Sequence, residues 1–186
     1  PMAFMAIRFM VAGALLLLVA WGVERSLAVR RRDWPLLVAA AMVGTGFYQP
    51  LFLTGLSMTT ASNTSLIIAA SPAFVALLNR LLGRELLAPR GWLGIALAFV
   101  GIVLIVEGGG GLEFGSQVFI GDLLILVGTF LWASYAVLAA PLMLTYSPLR
   151  VTALTTGIGA LPLILLGMPA VAALPLNQVQ PSGWAG

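Results

Sequence analysis

Gly13-Ala-Leu-Leu-Leu-Leu-Val-Ala-Trp-Gly-Val-Glu-Arg-Ser-Leu-Ala-Val-Arg-Arg-Arg-Asp-Trp-Pro-Leu-Leu-Val-Ala-Ala-Ala-Met42 sets two long apolar runs on either side of a short arginine-rich loop. The runs are apolar on every face and do not alternate, which fits helices in hydrocarbon and not the strands of a barrel. The pattern repeats along the chain. Further runs cover about Asn63 to Leu82, Gly91 to Val106, Asp122 to Met143 and Val151 to Ala173, with the first two reading as Ala3 to Val23 and Pro35 to Leu56. Six spans of roughly 20 residues are therefore expected, the fourth of them short. Composition agrees. Of 186 residues 61% are hydrophobic and 8% charged, whereas a soluble domain carries about 25% charged residues.

The loops set the orientation. All nine basic residues are arginines. Arg25, Arg30, Arg31 and Arg32 follow the first run, Arg80, Arg84 and Arg90 the third, and Arg150 the fifth. The connections after the second and fourth runs, and the tail, hold no arginine. Such a split over alternate loops puts the arginine-bearing loops in the cytoplasm and both chain ends outside it. The same placement argues against a nucleic-acid platform and for contact with anionic lipid. Asp33 before Trp34-Pro35, and Ser62 or Asn63, are suited to helix N-termini. Trp21, Trp34 and Trp92 fall at headgroup level.

With no cysteine and no histidine, disulfides, thiol nucleophiles, the usual zinc sites and a histidine proton switch are excluded. Asn63-Thr-Ser65 matches a glycosylation sequon but lies at a membrane boundary. The Gly108–Gly111 run lacks the Lys-Ser/Thr of a phosphate loop. The chain starts at Pro1 without a charged leader and stops after Pro181-Ser-Gly-Trp-Ala-Gly186, so it reads as a segment of a longer open reading frame.

Arg8 lies inside the first run. It either snorkels to the outer headgroups or faces an aqueous cavity, where it would meet an anionic group. Pro50, Pro72 and Pro162 sit within spans, where each removes a backbone hydrogen bond and kinks the helix. Gly94 and Gly101 share a face and read as a packing surface. Tyr48, Gln49, Asn63, Ser65, Trp132 and Tyr135 are polar or aromatic side chains at span depth, suited either to bonds between helices or to a binding pocket. Asp122 opens the fifth run and fits a helix N-terminus. A weak internal repeat places Pro1-Met-Ala-Phe-Met-Ala-Ile-Arg8 over Pro148-Leu-Arg-Val-Thr-Ala-Leu-Thr155, on helices of opposite direction, as in inverted-topology repeats.

Phe47-Tyr-Gln-Pro-Leu-Phe-Leu-Thr-Gly-Leu56, Thr60-Ala-Ser-Asn-Thr-Ser-Leu-Ile-Ile68, Ser71-Pro-Ala-Phe74, Gly83-Arg-Glu85 and Gly91-Trp-Leu-Gly94 follow one another at characteristic spacing. Gly101-Ile-Val-Leu104, Gly121-Asp-Leu-Leu124, Leu131-Trp-Ala-Ser-Tyr135 and Tyr146-Ser-Pro-Leu149 continue the order. In this the chain resembles the EamA-like branch of the drug/metabolite transporter superfamily. The resemblance implies an all-α, polytopic bundle of ten helices in two inverted five-helix repeats, with helices two to seven present here. Residues 1–106 would complete the first repeat, 107–120 form an external linker and 121–186 begin the second.

The resemblance further implies a bacterial inner-membrane protein, without a cofactor, that exports or exchanges small metabolites such as amino acids. A homodimer is possible within that reading. Arg8, Tyr48, Gln49, Asn63, Ser65, Trp132 and Tyr135 would line its cavity. Proton coupling needs a titratable group within the membrane. Arg8 is the only charge expected there, so coupling would reside in helices outside this chain, or transport would be uncoupled. The competing readings are a membrane-embedded enzyme, which lacks any catalytic motif here, and a non-transporting scaffold, which would have no solvent-accessible cavity.

Overall fold

In hydrocarbon every backbone N–H and C=O must be bonded within its own segment, and the apolar runs accordingly fold as helices. The computed structural model describes residues 2–84, 88–108 and 116–172. Helix α1 spans Met2–Glu24, α2 Trp34–Ala41, α3 Tyr48–Leu56, α4 Ala61–Ile68, α5 Ser71–Leu81, α6 Pro89–Gly108, α7 Gln117–Met143 and α8 Pro148–Ala172. Among the described residues, five segments are long and apolar enough to cross a membrane: Met5–Glu24, Arg31–Leu56, Ala61–Leu81, Gln117–Met143 and Pro148–Pro169. The apolar part of α6, Pro89–Leu104, is shorter, as expected for the fourth run. The protein is a polytopic helical membrane bundle.

Two spans are interrupted, each beside a proline. A π-helical segment, Met42–Phe47, separates α2 from α3. Pro50 stands just beyond it and cannot donate to the Gly46 carbonyl, so the widened turn sits where the regular ladder would fail. The third span breaks outright at Ala69–Ala70, and Pro72 occupies the first turn of α5. Pro72 therefore starts a helix and does not kink one. Pro162 lies inside α8, together with Pro169, and α7 carries Pro141 near its C-terminus. α5 ends in a Schellman turn: Gly83 is left-handed (φ 67), and Arg84 N–H donates to the Asn79 carbonyl at 2.9 Å.

α7 is the central element. It packs on α2, the π segment, α3, α4 and α5, while α6 rests on α4 and α5. α1 packs chiefly on α8 and runs antiparallel to it. The two approach closely at Gly13 and Gly157, where a Cβ on Gly13 would lie 3.6 Å from Gly157 Cα. Leu17 covers Gly157 on the other side. The opposite faces of α1 and α6 are bare: Leu15, Leu18, Val19, Leu93, Leu97 and Leu104 are all exposed. In water such stripes would associate; hydrocarbon or further apolar helices cover them at no cost. Gly94 and Gly101 do not form the expected packing surface. Nothing lies within 4 Å of a Cβ on either, and both line a groove between α6 and the α4–α5 pair.

Candidate functional site

Trp132 and Tyr135 stand three residues apart on α7, so their rings share a face. Tyr48, at the start of α3, completes the group. Ring centroids are 5.3 Å apart for Tyr48–Trp132 and for Trp132–Tyr135, and Phe52 stacks on Tyr48 at 5.4 Å. Two glycines make room for this. Gly44, in the π segment, lies under Tyr135: a Cβ there would come within 2.5 Å of the ring. Gly128, one turn from Trp132, lies against Tyr48. The Tyr135 hydroxyl is 3.4 Å from Thr155 Oγ1, which ties the group loosely to α8. Tyr48 and Tyr135 are half-buried, but Trp132 is 43% exposed, so the cluster is only partly covered.

Toward the arginine-poor end, α3 and α7 close tightly. A Cβ on Gly55 would be 3.0 Å from the Gly121 carbonyl, and one on Gly121 would be 2.8 Å from the Met58 backbone. Beside this contact lies Asp122, 1% exposed and the one ionisable group among the buried side chains described. Its Oδ1 accepts from the Thr59 hydroxyl, and its Oδ2 accepts from Asn63 Nδ2 at 3.0 Å. Thr60 caps α4 by accepting from Asn63 N–H at 3.1 Å, which fixes Asn63 toward Asp122. α7 begins five residues before Asp122, with Ser116 as its cap. Asp122 is thus a buried carboxylate within the span. The expectation that it sits at a helix terminus is corrected accordingly, and Arg8 is not the only ionisable residue within the spans.

At the arginine-rich end a second network joins the loop after α1 to the α7–α8 turn. Arg150 pairs with Glu24 at 2.6 Å, and the Ser147 hydroxyl donates to the same carboxylate. Tyr146 donates to Asp33 Oδ2 at 2.6 Å and accepts from Arg30 N–H at 3.0 Å. Nearby, Arg84 donates to the Val137 carbonyl at 2.8 Å. That carbonyl loses its helical partner because residue 141 is proline, and the guanidinium replaces it. An apolar cleft of about 360 Å³ separates the π segment and α3 from α8, with Pro50 and Pro162 on facing walls.

The profile of the EamA-like transporter family matches residues 1–107. The chain belongs to the EamA-like transporter family. It is 35% identical over 172 residues to an uncharacterized transporter of Archaeoglobus fulgidus, covering 91% of this chain and 58% of that protein. It is 29% identical over 189 residues to the uncharacterized transporter YyaM of Bacillus subtilis, covering 99% and 61%. A third relative, an uncharacterized transporter of Methanothermobacter thermautotrophicus, is 31% identical over 144 residues, covering 77% and 42%. The chain thus spans about three fifths of the length of the first two. No solved structure matches. The family is one of membrane transporters, and each of these relatives carries the name transporter.

Of the residues picked from the sequence of this EamA-like chain, the structure brings Tyr48, Trp132 and Tyr135 together, with Gln49 partly buried beside Tyr48. Asn63 is committed to Asp122. Ser65 is exposed and donates to the Ser62 carbonyl at 2.8 Å within its own helix. Arg8 is exposed on α1, its guanidinium 5.6 Å from the ring of Phe9. Thr59, Gly44 and Pro141 were not singled out from the sequence. Of these only Pro141 carried a signal, a proline inside an apolar run.

Proposed function

We propose that this chain forms most of a secondary transporter that exports or exchanges small metabolites such as amino acids by alternating access. The carrying observation is the Tyr48–Trp132–Tyr135 cluster, in which Trp132 stays partly exposed between two bonded ends of the bundle. A flat π surface offers a substrate contact area without requiring a charged partner. On this reading the arginine-rich end is cytoplasmic, and the protein sits in the bacterial inner membrane, singly or as a homodimer.

The inverted-repeat reading draws support from α1 and α8. Aligning Pro1 with Pro148 (148 − 1 = 147) places Gly13 over residue 160 (13 + 147), an alanine. A Cβ on Gly13 would lie 4.0 Å from Ala160 Cβ. A residue touching its own repeat equivalent across an antiparallel pair is what a two-fold axis in the membrane plane requires. Residues 1–106 and 121–186 would then belong to the two repeats, joined through 107–120.

The test is counterflow. Full-length protein is reconstituted in liposomes loaded with unlabelled amino acids and given a labelled amino-acid mixture outside. Labelled uptake above that of empty liposomes is expected, and Trp132→Ala should lower it without lowering membrane insertion. Equal uptake by the Trp132→Ala protein at equal expression removes Trp132 from the pathway.

A further inference from the structure

We propose that the Tyr48–Trp132–Tyr135 cluster admits only solutes of no net charge, and that the Tyr48 hydroxyl fixes them by donating to an acceptor oxygen of the solute. The inference rests on the transport reading and gives it a substrate class and a specificity-determining residue.

Unbonded polar atoms inside the spans are the starting point. Among the described residues the Tyr48 hydroxyl makes no hydrogen bond, and neither does the Gln49 amide beside it or the Trp132 indole N–H. Tyr48 and Gln49 are half-buried, and no sealed side-chain nitrogen or oxygen lacks a partner among the described residues, so their unbonded atoms reach accessible space. Hydrocarbon offers such atoms no partner. The Tyr135 hydroxyl is nearly as free. Thr155 Oγ1 gives its hydrogen to the Val151 carbonyl at 2.8 Å, which leaves Tyr135 as the donor across 3.4 Å. That is well beyond the usual O–H···O distance of about 2.7–2.8 Å.

The donors carry no formal charge, and among the described residues no fixed charge meets them. Residues 34–79 hold no charged side chain. On α7 the one charged residue, Asp122, is committed to Thr59 and Asn63. Trp132 lies ten residues further on, about 15 Å along the axis. On α8 the one charged residue, Arg150, is paired with Glu24. Arg84 reaches α7 from the α5 side: its acceptor, Val137, stands about two turns beyond Phe130, whose ring meets Phe74 of α5 at 5.7 Å. Trp132 and Tyr135 lie round the helix from that face, about 200° and 140° from Phe130. A net charge entering the cluster would shed its hydration against neutral groups alone, which is costly. A solute that is uncharged or internally balanced meets aromatic surface for its apolar part and the Tyr48 O–H for its oxygen.

Full-length protein in liposomes, assayed by leucine counterflow, tests the substrate class. Unlabelled leucine should compete with the labelled form, whereas glutamate and lysine should not. Tyr48→Phe removes only the hydroxyl and should raise KM roughly three- to tenfold, the worth of one neutral hydrogen bond, with kcat unchanged. Competition by glutamate or lysine equal to that by leucine, or an unchanged KM in Tyr48→Phe, overturns the proposal. Two readouts need no transport. With Trp132 as the sole tryptophan, acrylamide, a neutral amide, should quench its fluorescence while iodide and caesium do not, and phospholipid brominated on its acyl chains should quench it weakly. N-acetylimidazole should acetylate Tyr48 faster than Tyr146, whose hydroxyl is bonded on both sides. Strong quenching by the brominated lipid, quenching by either ion to the extent of acrylamide, or a Tyr48 that reacts no faster than Tyr146 overturns the proposal whether or not leucine is carried. Absent counterflow with the expected quenching and acetylation removes amino acids from the transport reading and leaves the selectivity of the site standing.

Discussion

Gly44→Ala should disable the aromatic cluster from beneath. A Cβ at residue 44 would lie 2.5 Å from Tyr135 Cδ2, 2.6 Å from Cγ and 3.1 Å from Cβ. Carbon atoms rest at about 3.5–4.0 Å, so the ring must retreat by roughly 1 Å. Its side-chain Cβ is itself crowded, which prevents a simple swing about χ1. The retreat breaks the 3.4 Å approach to Thr155 and the 5.3 Å contact with Trp132. Overpacking of this kind costs about 1–3 kcal/mol. In nanodiscs, Gly44→Ala should lower the unfolding temperature and reduce counterflow at equal expression. Tyr135→Ala removes the ring that the methyl group meets. In the double variant the cost of Gly44→Ala should shrink by at least half, a coupling on the order of 1 kcal/mol between touching residues. Wild-type stability for Gly44→Ala, or strict additivity with Tyr135→Ala, would refute the reasoning.

Two further predictions concern the arginine-rich end. Tyr146→Phe loses the bond to Asp33 and leaves Arg30 N–H without its acceptor, so thermal unfolding should report a loss of about 1 kcal/mol; an unchanged midpoint contradicts this. Arg84→Ala exposes the Val137 carbonyl that Pro141 has already orphaned, at a cost of roughly 1 kcal/mol. Arg84→Ala should lose its effect when Pro141→Ala restores the helical donor, and an undiminished effect in that double variant would show that Arg84 acts elsewhere.

The spans were legible because lipid demands apolar side chains over a whole helix, and alternate arginines count the crossings. The aromatic cluster was partly legible for the same reason: Tyr48, Trp132 and Tyr135 stand out in apolar runs. What the sequence could not show was pairing at a distance. Asn63 stayed open between a bond between helices and a pocket because its partner, Asp122, is 59 residues away. Asp122 looked terminal because the helical stretch before it, Gln117-Val-Phe-Ile-Gly121, mixes polar and small residues with apolar ones, and only the Ser116 cap marks its true start. Pro72 was placed within a span, yet the chain breaks at Ala69–Ala70 and uses the proline to begin α5. Gly94 and Gly101 share a face as expected, but that face is open.

The most direct test of the transport account places a single cysteine at Trp132 in an otherwise cysteine-free full-length protein. A small aqueous thiol reagent should label it from one side of the membrane, and the labelled amino-acid mixture that supports counterflow should slow the reaction. Labelling that is absent, or that the mixture leaves unchanged while counterflow proceeds, would place the substrate path away from the Tyr48–Trp132–Tyr135 cluster.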